Sequence, residues 1–174
     1  VDSYISSDTK VLEYGDKLIM PGFNDCHTHM SSGAFLEDEN FGFNALEASS
    51  KDEAMKMTKE FADAHPDNEW VVGYMMNNLA WEDQTLPTRY DIDAVISDRP
   101  VALQLADMHT IIANTCAIEK IGYTNDTPNP DDGILEKDEN GVLNGRFFDG
   151  GSFVFTEAIY NADAVSYTHL TLPT

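Results

Sequence analysis

His27 and His29 stand one residue apart in the string Leu18-Ile19-Met20-Pro21-Gly22-Phe23-Asn24-Asp25-Cys26-His27-Thr28-His29-Met30. Side chains alternate along an extended chain, so both imidazoles face one side if residues 26–29 continue a strand. Two neutral ring nitrogens can then reach one metal ion from one rigid element. A bare His-x-His arises readily by chance. The apolar run and the Pro-Gly break ahead of this one make it a stronger signal. Asp25 shares the face of His27, which makes it a candidate third ligand or base. Cys26, between the two faces, is read as a packing residue.

Pro21, Gly22, Phe23, Asp25, His27 and His29 resemble, position by position, the Pro-Gly-Phe-x-Asp-x-His-x-His signature of the metal-dependent amidohydrolase superfamily. Later landmarks resemble those of amidohydrolase family 3, the branch typified by N-substituted formamide deformylases. They include Trp70 with Gly73, the triplet Pro87-Thr88-Arg89, the run Asp98-Arg99-Pro100-Val101, and Asp107 and His109 followed by Asn114. The string Asp138-Glu139-Asn140-Gly141-Val142-Leu143-Asn144-Gly145 fits the branch's hairpin, with Asp132 in place of a glycine ahead of it. Thr115 also departs from the pattern, which usually has Ser. The resemblance runs from about Tyr4 to about Phe155.

That resemblance implies an α/β fold: a partial (β/α)8 TIM-like metallo-hydrolase barrel, its first strands and helices, with a remnant of an N-terminal β-sandwich. It implies that His27 and His29 bind a catalytic divalent metal, zinc first among candidates, as one or two ions, with Asp25 in a supporting role. Asp149 matches a position where the family often carries an acid and is a further candidate for the metal site. His109 ends a strand, where barrel sites are built, and is a candidate substrate contact. Asp107, on the same side, is placed with it among the substrate-binding candidates and is expected to orient its imidazole. The remaining ligands and the proton-accepting aspartate of the family come from later strands, so no further catalytic residue is assigned and the chain by itself is expected to be inactive.

The chemistry implied is hydrolysis of a non-peptide carbon–nitrogen bond, an amide or formamide. Amide carbonyls are weak electrophiles and neutral water is a poor nucleophile. A bound Zn²⁺ addresses both, polarising the carbonyl and lowering the pKa of bound water from about 15.7 to about 7. Two other readings stand beside this one. The chain could be a catalytically silent fragment or metal-binding module, or a deaminase of the same superfamily, against which the branch landmarks argue.

A whole barrel needs about 250 residues, and the chain has 174. The expected division is therefore 1–17 as sandwich remnant, 18–164 as the N-terminal part of the barrel with a hairpin insertion, and 165–174 as a tail. Residues 165–174 resemble the translation of a transposon-end adapter used in sequencing libraries, and His169 within them is set aside as a ligand. The start lacks an initiator Met and an opening strand.

The elements that must position these side chains follow from local pattern. Residues 10–14 and 17–23 read as strands, although Pro21 marks an edge or bend. Ser50-Lys51-Asp52-Glu53 reads as a capping box opening a helix whose buried stripe is Ala54, Met57, Thr58, Phe61 and Ala62. His65 ends it. Residues 69–77 and 100–106 read as buried strands, with a short helix capped by Thr88 between them. Asn114 caps the next helix, closed by Gly122, with Cys116 as a core residue. Residues 133–137 and 142–148 around Asn140-Gly141 read as a β-hairpin. Alternation of strand and helix predicts a parallel sheet with helices outside.

Composition narrows the partners. With 31 acidic and 10 basic residues the net charge is −21, which argues against nucleic acid and anionic membranes, since both demand basic patches. No apolar run has transmembrane length. Two cysteines make no disulfide framework and fit a reducing compartment, so a cytoplasmic location is expected. The partner implied is a small amide-type molecule, and the resemblance is compatible with homodimerisation of a longer protein.

Overall fold

The computed structural model describes residues 4–22, 24 and 39–162. Asp25, Cys26, His27, His29 and the tail 165–174 lie outside them. Among the described residues the core is a six-stranded mixed sheet in the order β1-β2-β3-β4-β6-β5. Its strands are β1 (Phe43–Asn44), β2 (Val71–Met76), β3 (Val101–Leu105), β4 (Thr110–Ala113), β5 (Gly133–Lys137) and β6 (Leu143–Asp149). The helices are α1 (Lys51–Ala64), α2 (Arg89–Asp93), α3 (Thr115–Lys120) and α4 (Gly150–Ala162).

β1, β2 and β3 run parallel. β4 turns back against β3, β6 turns back against β4, and β5 closes the edge antiparallel to β6. The parallel arrangement expected from strand–helix alternation therefore holds for three strands and then gives way to hairpins. The reason is β4. The apolar run Thr110-Ile111-Ile112-Ala113 is buried throughout and pairs with β3 after a tight turn at Asp107-Met108. Four residues following a turn were too short to read as a strand from pattern alone.

Both faces of the sheet are covered. Val72, Tyr74, Ala102, Ile111, Ala113 and Phe147 face one layer, into which α4 inserts Phe155 and Ile159 and α3 inserts Ala117 and Ile118. Val71, Val101, Leu103 and Ile112 face the other, filled by Ala54, Met55, Phe61 and Ala62 of α1 and by Ile92 of α2. The α1 stripe matches its expected spacing except that Met55 is the buried methionine and Met57 only partly so. Near the end of β2, Met75 adopts φ 62° and the register with β3 shifts. That irregularity reverses the alternation, so Met75 packs against one layer and Met76 against the other.

The residues at 10–14 and 17–22 do not form the strands expected of them. Leu18 is 85% and Ile19 67% exposed. An extended segment becomes a strand only with a ladder partner, Pro21 has no N–H to offer, and none of the described residues supplies that partner. The hairpin around Asn140-Gly141 is formed as expected: Asp138 Oδ1 accepts from the Asn140 and Val142 amides at 2.8 and 2.9 Å, and Gly141 takes φ 77°.

Capping follows the sequence with one shift. Ser50 Oγ accepts from the Glu53 amide at 3.2 Å, but the Glu53 carboxylate accepts from the amide of Ser49, not of Ser50. At α2 the Asp91 carboxylate accepts from both the amide and the hydroxyl of Thr88, at 2.7 and 2.8 Å. His65 caps α1, its Nδ1 lying 3.0 Å from the Phe61 carbonyl and its ring stacked on Phe61. Arg99 places its guanidinium on the carbonyls of Ala62, His65 and Pro66, where a cation meets the negative end of the helix dipole.

Candidate functional site

β6 runs in the direction of β3, because each is antiparallel to β4. The C-terminal ends of β2, β3 and β6 therefore lie along one edge of the sheet. Asp107, His109 and Asp149 meet there: the first two in the β3–β4 turn, the third at the last position of β6. Thr110 pairs with Phe148 across the ladder, so the residue before Thr110 and the residue after Phe148 are brought side by side.

Asp107 holds the backbone. Its Oδ1 accepts from the amides of His109 and Thr110 at 2.8 and 2.9 Å, and its Oδ2 from the Thr110 hydroxyl at 2.7 Å. A carboxylate at a turn is well placed to bond the amides two and three residues on. The expectation that Asp107 orients the imidazole is thus replaced. Asp149 does so instead, with Oδ1 3.0 Å from His109 Nδ1. The backbones are tied as well, since the Asp149 amide donates to the His109 carbonyl at 2.8 Å.

Ser152 completes the arrangement. Its buried hydroxyl lies 2.8 Å from the carbonyl oxygens of both His109 and Asp149. Met108 and Asp149 both adopt left-handed backbone, φ 64° and 48°, which costs non-glycine residues energy and survives only where surroundings enforce it. Ser152 and the Asp149–His109 pair escaped the reading of the sequence. A signal was present in Asp149-Gly150-Gly151: a Cβ on Gly150 would sit 2.0 Å from Asp132 Oδ1, so the strand-to-helix turn is closely packed.

His109 and Asp149 remain open to ligands, their side chains 62% and 58% exposed. A catalytic zinc needs three protein ligands and an open position. Among the described residues no group of three His, Cys, Asp or Glu side chains is placed to hold a metal ion. The described residues thus do not make a metal centre by themselves, and the oxygen of Asp149 nearest His109 is engaged with its ring. His27, His29 and Asp25 lie outside the described residues.

Cys116 is half-buried rather than a core residue. Its thiol donates to the Ser97 carbonyl at 3.0 Å, and burial, reinforced by Glu119, Asp93 and Asp98, pushes its pKa up, which disfavours the reactive thiolate. A small crevice lies between the sheet and α4, bounded by Val72, Tyr74, Gln104, Ile111, Ile159 and Tyr160. It is walled mainly by apolar side chains and includes none of Asp107, His109 and Asp149. Trp70 and Trp81 are core residues; Trp81 donates to the Ala48 carbonyl at 2.7 Å. No helix among the described residues is long and apolar enough to cross a membrane.

Known proteins resemble this chain over most of its length. YtcJ of Bacillus subtilis (strain 168) is 31% identical over 158 residues, which is 91% of this chain and 29% of YtcJ. An N-substituted formamide deformylase of Arthrobacter pascens is 29% identical over 154 residues, 88% of this chain and 28% of the relative. The chain thus spans less than a third of the length of these relatives. The crystal structure of an uncharacterized metal-dependent hydrolase from Pyrococcus furiosus superposes with a TM-score of 0.52 at 21% identity, over 86% of this chain and 28% of that one. At such identity the likeness speaks to the fold alone. The model of the amidohydrolase family matches residues 12–170, a span that carries the histidine pair and the Asp107–Asp149 edge alike, and the chain belongs to that family.

Proposed function

We propose that the chain is part of a metal-dependent amidohydrolase that hydrolyses a non-peptide carbon–nitrogen bond in a small amide or formamide. The observation that carries this reading is the family match across residues 12–170, which contains the run from Pro21 to His29. The formamide deformylase among the relatives supports the amide class. His27 and His29 would hold the divalent cation, zinc first among candidates, in one or two copies. When bound, it supplies Lewis acidity toward the carbonyl and acidifies water. The fold that goes with this reading is the first part of a (β/α)8 barrel, with β1, β2 and β3 as neighbouring parallel strands and the site at their C-terminal ends. His109 then contacts substrate. A cytoplasmic setting and homodimerisation of the longer protein accompany the proposal.

A second reading is a metal-binding module without turnover. One experiment separates them. The chain is loaded with Zn²⁺, freed of excess, and analysed for bound metal beside the His27→Ala/His29→Ala double variant, with formate release from a simple formamide followed in parallel. Wild type should retain metal, and the double variant should hold roughly tenfold less or lower still, because two ligands are gone. Equal metal in both would sink the assignment of the pair. Formate release that is lost in the double variant would exclude the silent module, whereas metal retained without turnover agrees with a chain that is inactive by itself.

A further inference from the structure

We infer that Asp149 is a positioning residue that fixes the tautomer of His109, so that His109 Nε2 presents a lone pair to the N–H of an amide ligand. The inference deepens the amidohydrolase reading and rests on it for the substrate class.

The argument begins with the hydrogen-bond inventory. A neutral imidazole carries one N–H and one acceptor nitrogen, and the partner of one nitrogen sets the state of the other. Asp149 Oδ1 lies 3.0 Å from His109 Nδ1. An ionised carboxylate only accepts, so Nδ1 carries the hydrogen and Nε2 is left as an acceptor. Nε2 has no hydrogen-bond partner among the described residues, and the side chain is 62% exposed at the edge where β2, β3 and β6 end.

The pair is built rather than incidental. Asp107 fastens the His109 amide, the His109 carbonyl receives the Asp149 amide, and the hydroxyl of buried Ser152 lies within hydrogen-bond reach of the His109 and Asp149 carbonyls. Asp149 is held at φ 48° to do this. A ring so fixed discriminates among ligands. It welcomes a donor, such as the N–H of a primary or secondary amide, and offers nothing to an ester or a tertiary amide. A site built around one hydrogen bond rejects the analogue that lacks it more strongly than an apolar pocket rejects a methyl group.

The test is made on the zinc-free chain with uniform ¹⁵N labelling, at about pH 8.5, well above the ordinary imidazole range. Long-range ¹H–¹⁵N correlation reports which ring nitrogen of His109 is protonated. Wild type should show protonated Nδ1 and an acceptor-type Nε2. Asp149→Gly, which tolerates positive φ and removes the carboxylate, should move the protonated-type signal to Nε2. Asp149→Asn serves as a second variant that favours the same backbone, and it should give mixed signals. Wild type already protonated at Nε2, or a pattern unmoved in Asp149→Gly, would overturn the inference. A purely structural Asp149 would leave the tautomer unchanged.

The ligand class is read by titrating N-methylacetamide and N,N-dimethylacetamide. The first should shift Nε2 and the second should not, with the difference lost in Asp149→Gly. Equal shifts would defeat the substrate half. None of these readouts involves bound metal or turnover, so they fail independently of the metal analysis on His27 and His29.

Discussion

Asn114 and Val101 exchange hydrogen bonds in both directions. The Val101 amide donates to Asn114 Oδ1 at 2.9 Å, and the Asn114 amide returns one to the Val101 carbonyl at 3.2 Å. The same side chain caps α3 by accepting from the Ala117 amide at 2.9 Å and donates to the carbonyls of Ile96 and Arg99. Asn114 is fully buried, and both lone-pair directions and both N–H groups of its amide are used.

Asn114→Ala should therefore be among the most damaging single changes. It removes a helix cap, about 1 kcal/mol, and leaves buried backbone groups unpaired at about 1–3 kcal/mol each. A loss of roughly 3 kcal/mol or more in urea unfolding is expected. Asn114→Asp should be nearly as costly, because a carboxylate oxygen would face the Ile96 and Arg99 carbonyls. A loss under about 1 kcal/mol for either variant would show that the interaction is not central.

Asp91 and Lys51 give a pH-dependent term. Their charged groups lie 2.8 Å apart. Burial works to raise the Asp91 pKa, but bonds from Lys51 and from Thr88 outweigh it and the carboxyl is held below its usual range. Lys51 is held above its own, chiefly by its hydrogen bond to Asp91. A depressed acid contributes stability that is present above its unfolded pKa, about 3.9, and lost as pH falls through the folded value. A raised lysine contributes below its unfolded pKa, about 10.4, and the contribution is lost as pH rises through the folded value. Asp91→Asn should thus cost about 1 kcal/mol at neutral pH. That cost should be flat between about pH 5 and 10 and should shrink below about pH 4. Denaturant titrations across that range would show it, and a cost that grows toward acid would contradict it.

Asp107→Ala tests the turn that carries His109. It removes acceptors from the amides of His109 and Thr110 and from the Thr110 hydroxyl. A loss of about 1–3 kcal/mol is expected, with hydrogen exchange at the His109 and Thr110 amides accelerated about tenfold or more. Asp107→Asn keeps Oδ1 as an acceptor and should retain much of the protection. Unchanged exchange in the Ala variant would show that the ladder alone holds the turn.

The sequence made these elements unequally legible. The caps at Ser50, Thr88 and Asn114 and the turn at Asn140-Gly141 were readable because each depends on residues a few positions apart. β4 was not, because its four residues become a strand only through β3 and β6 on either side. The same limit governed the site. Asp107 bonds its own turn, which local chemistry dictates, whereas Asp149 reaches His109 from 40 residues away by ladder register. Sequence spacing favoured the neighbour; pairing chose the distant acid.

Gly73 illustrates packing that no turn or positive φ requires. It lies in β2 beside Phe43 of β1 and Leu103 of β3. A Cβ there would stand 2.7 Å from Phe43 Cζ and 2.8 Å from Leu103 Cδ2. Leu103 is wholly buried and Phe43 lies at the sheet edge, so Phe43 is expected to yield first. Its ring also rests 5.5 Å from that of Phe61 on α1, so the displacement should reach the packing of that helix. Gly73→Ala should cost about 1–3 kcal/mol, the usual range for overpacking. The cause is separable by a double-mutant cycle with Phe43→Ala: if the clash with the ring dominates, Gly73→Ala should cost less in that background, with coupling of about 0.5 kcal/mol or more. Strict additivity would place the strain at Leu103 instead, and Leu103→Ala in the same cycle should then absorb it.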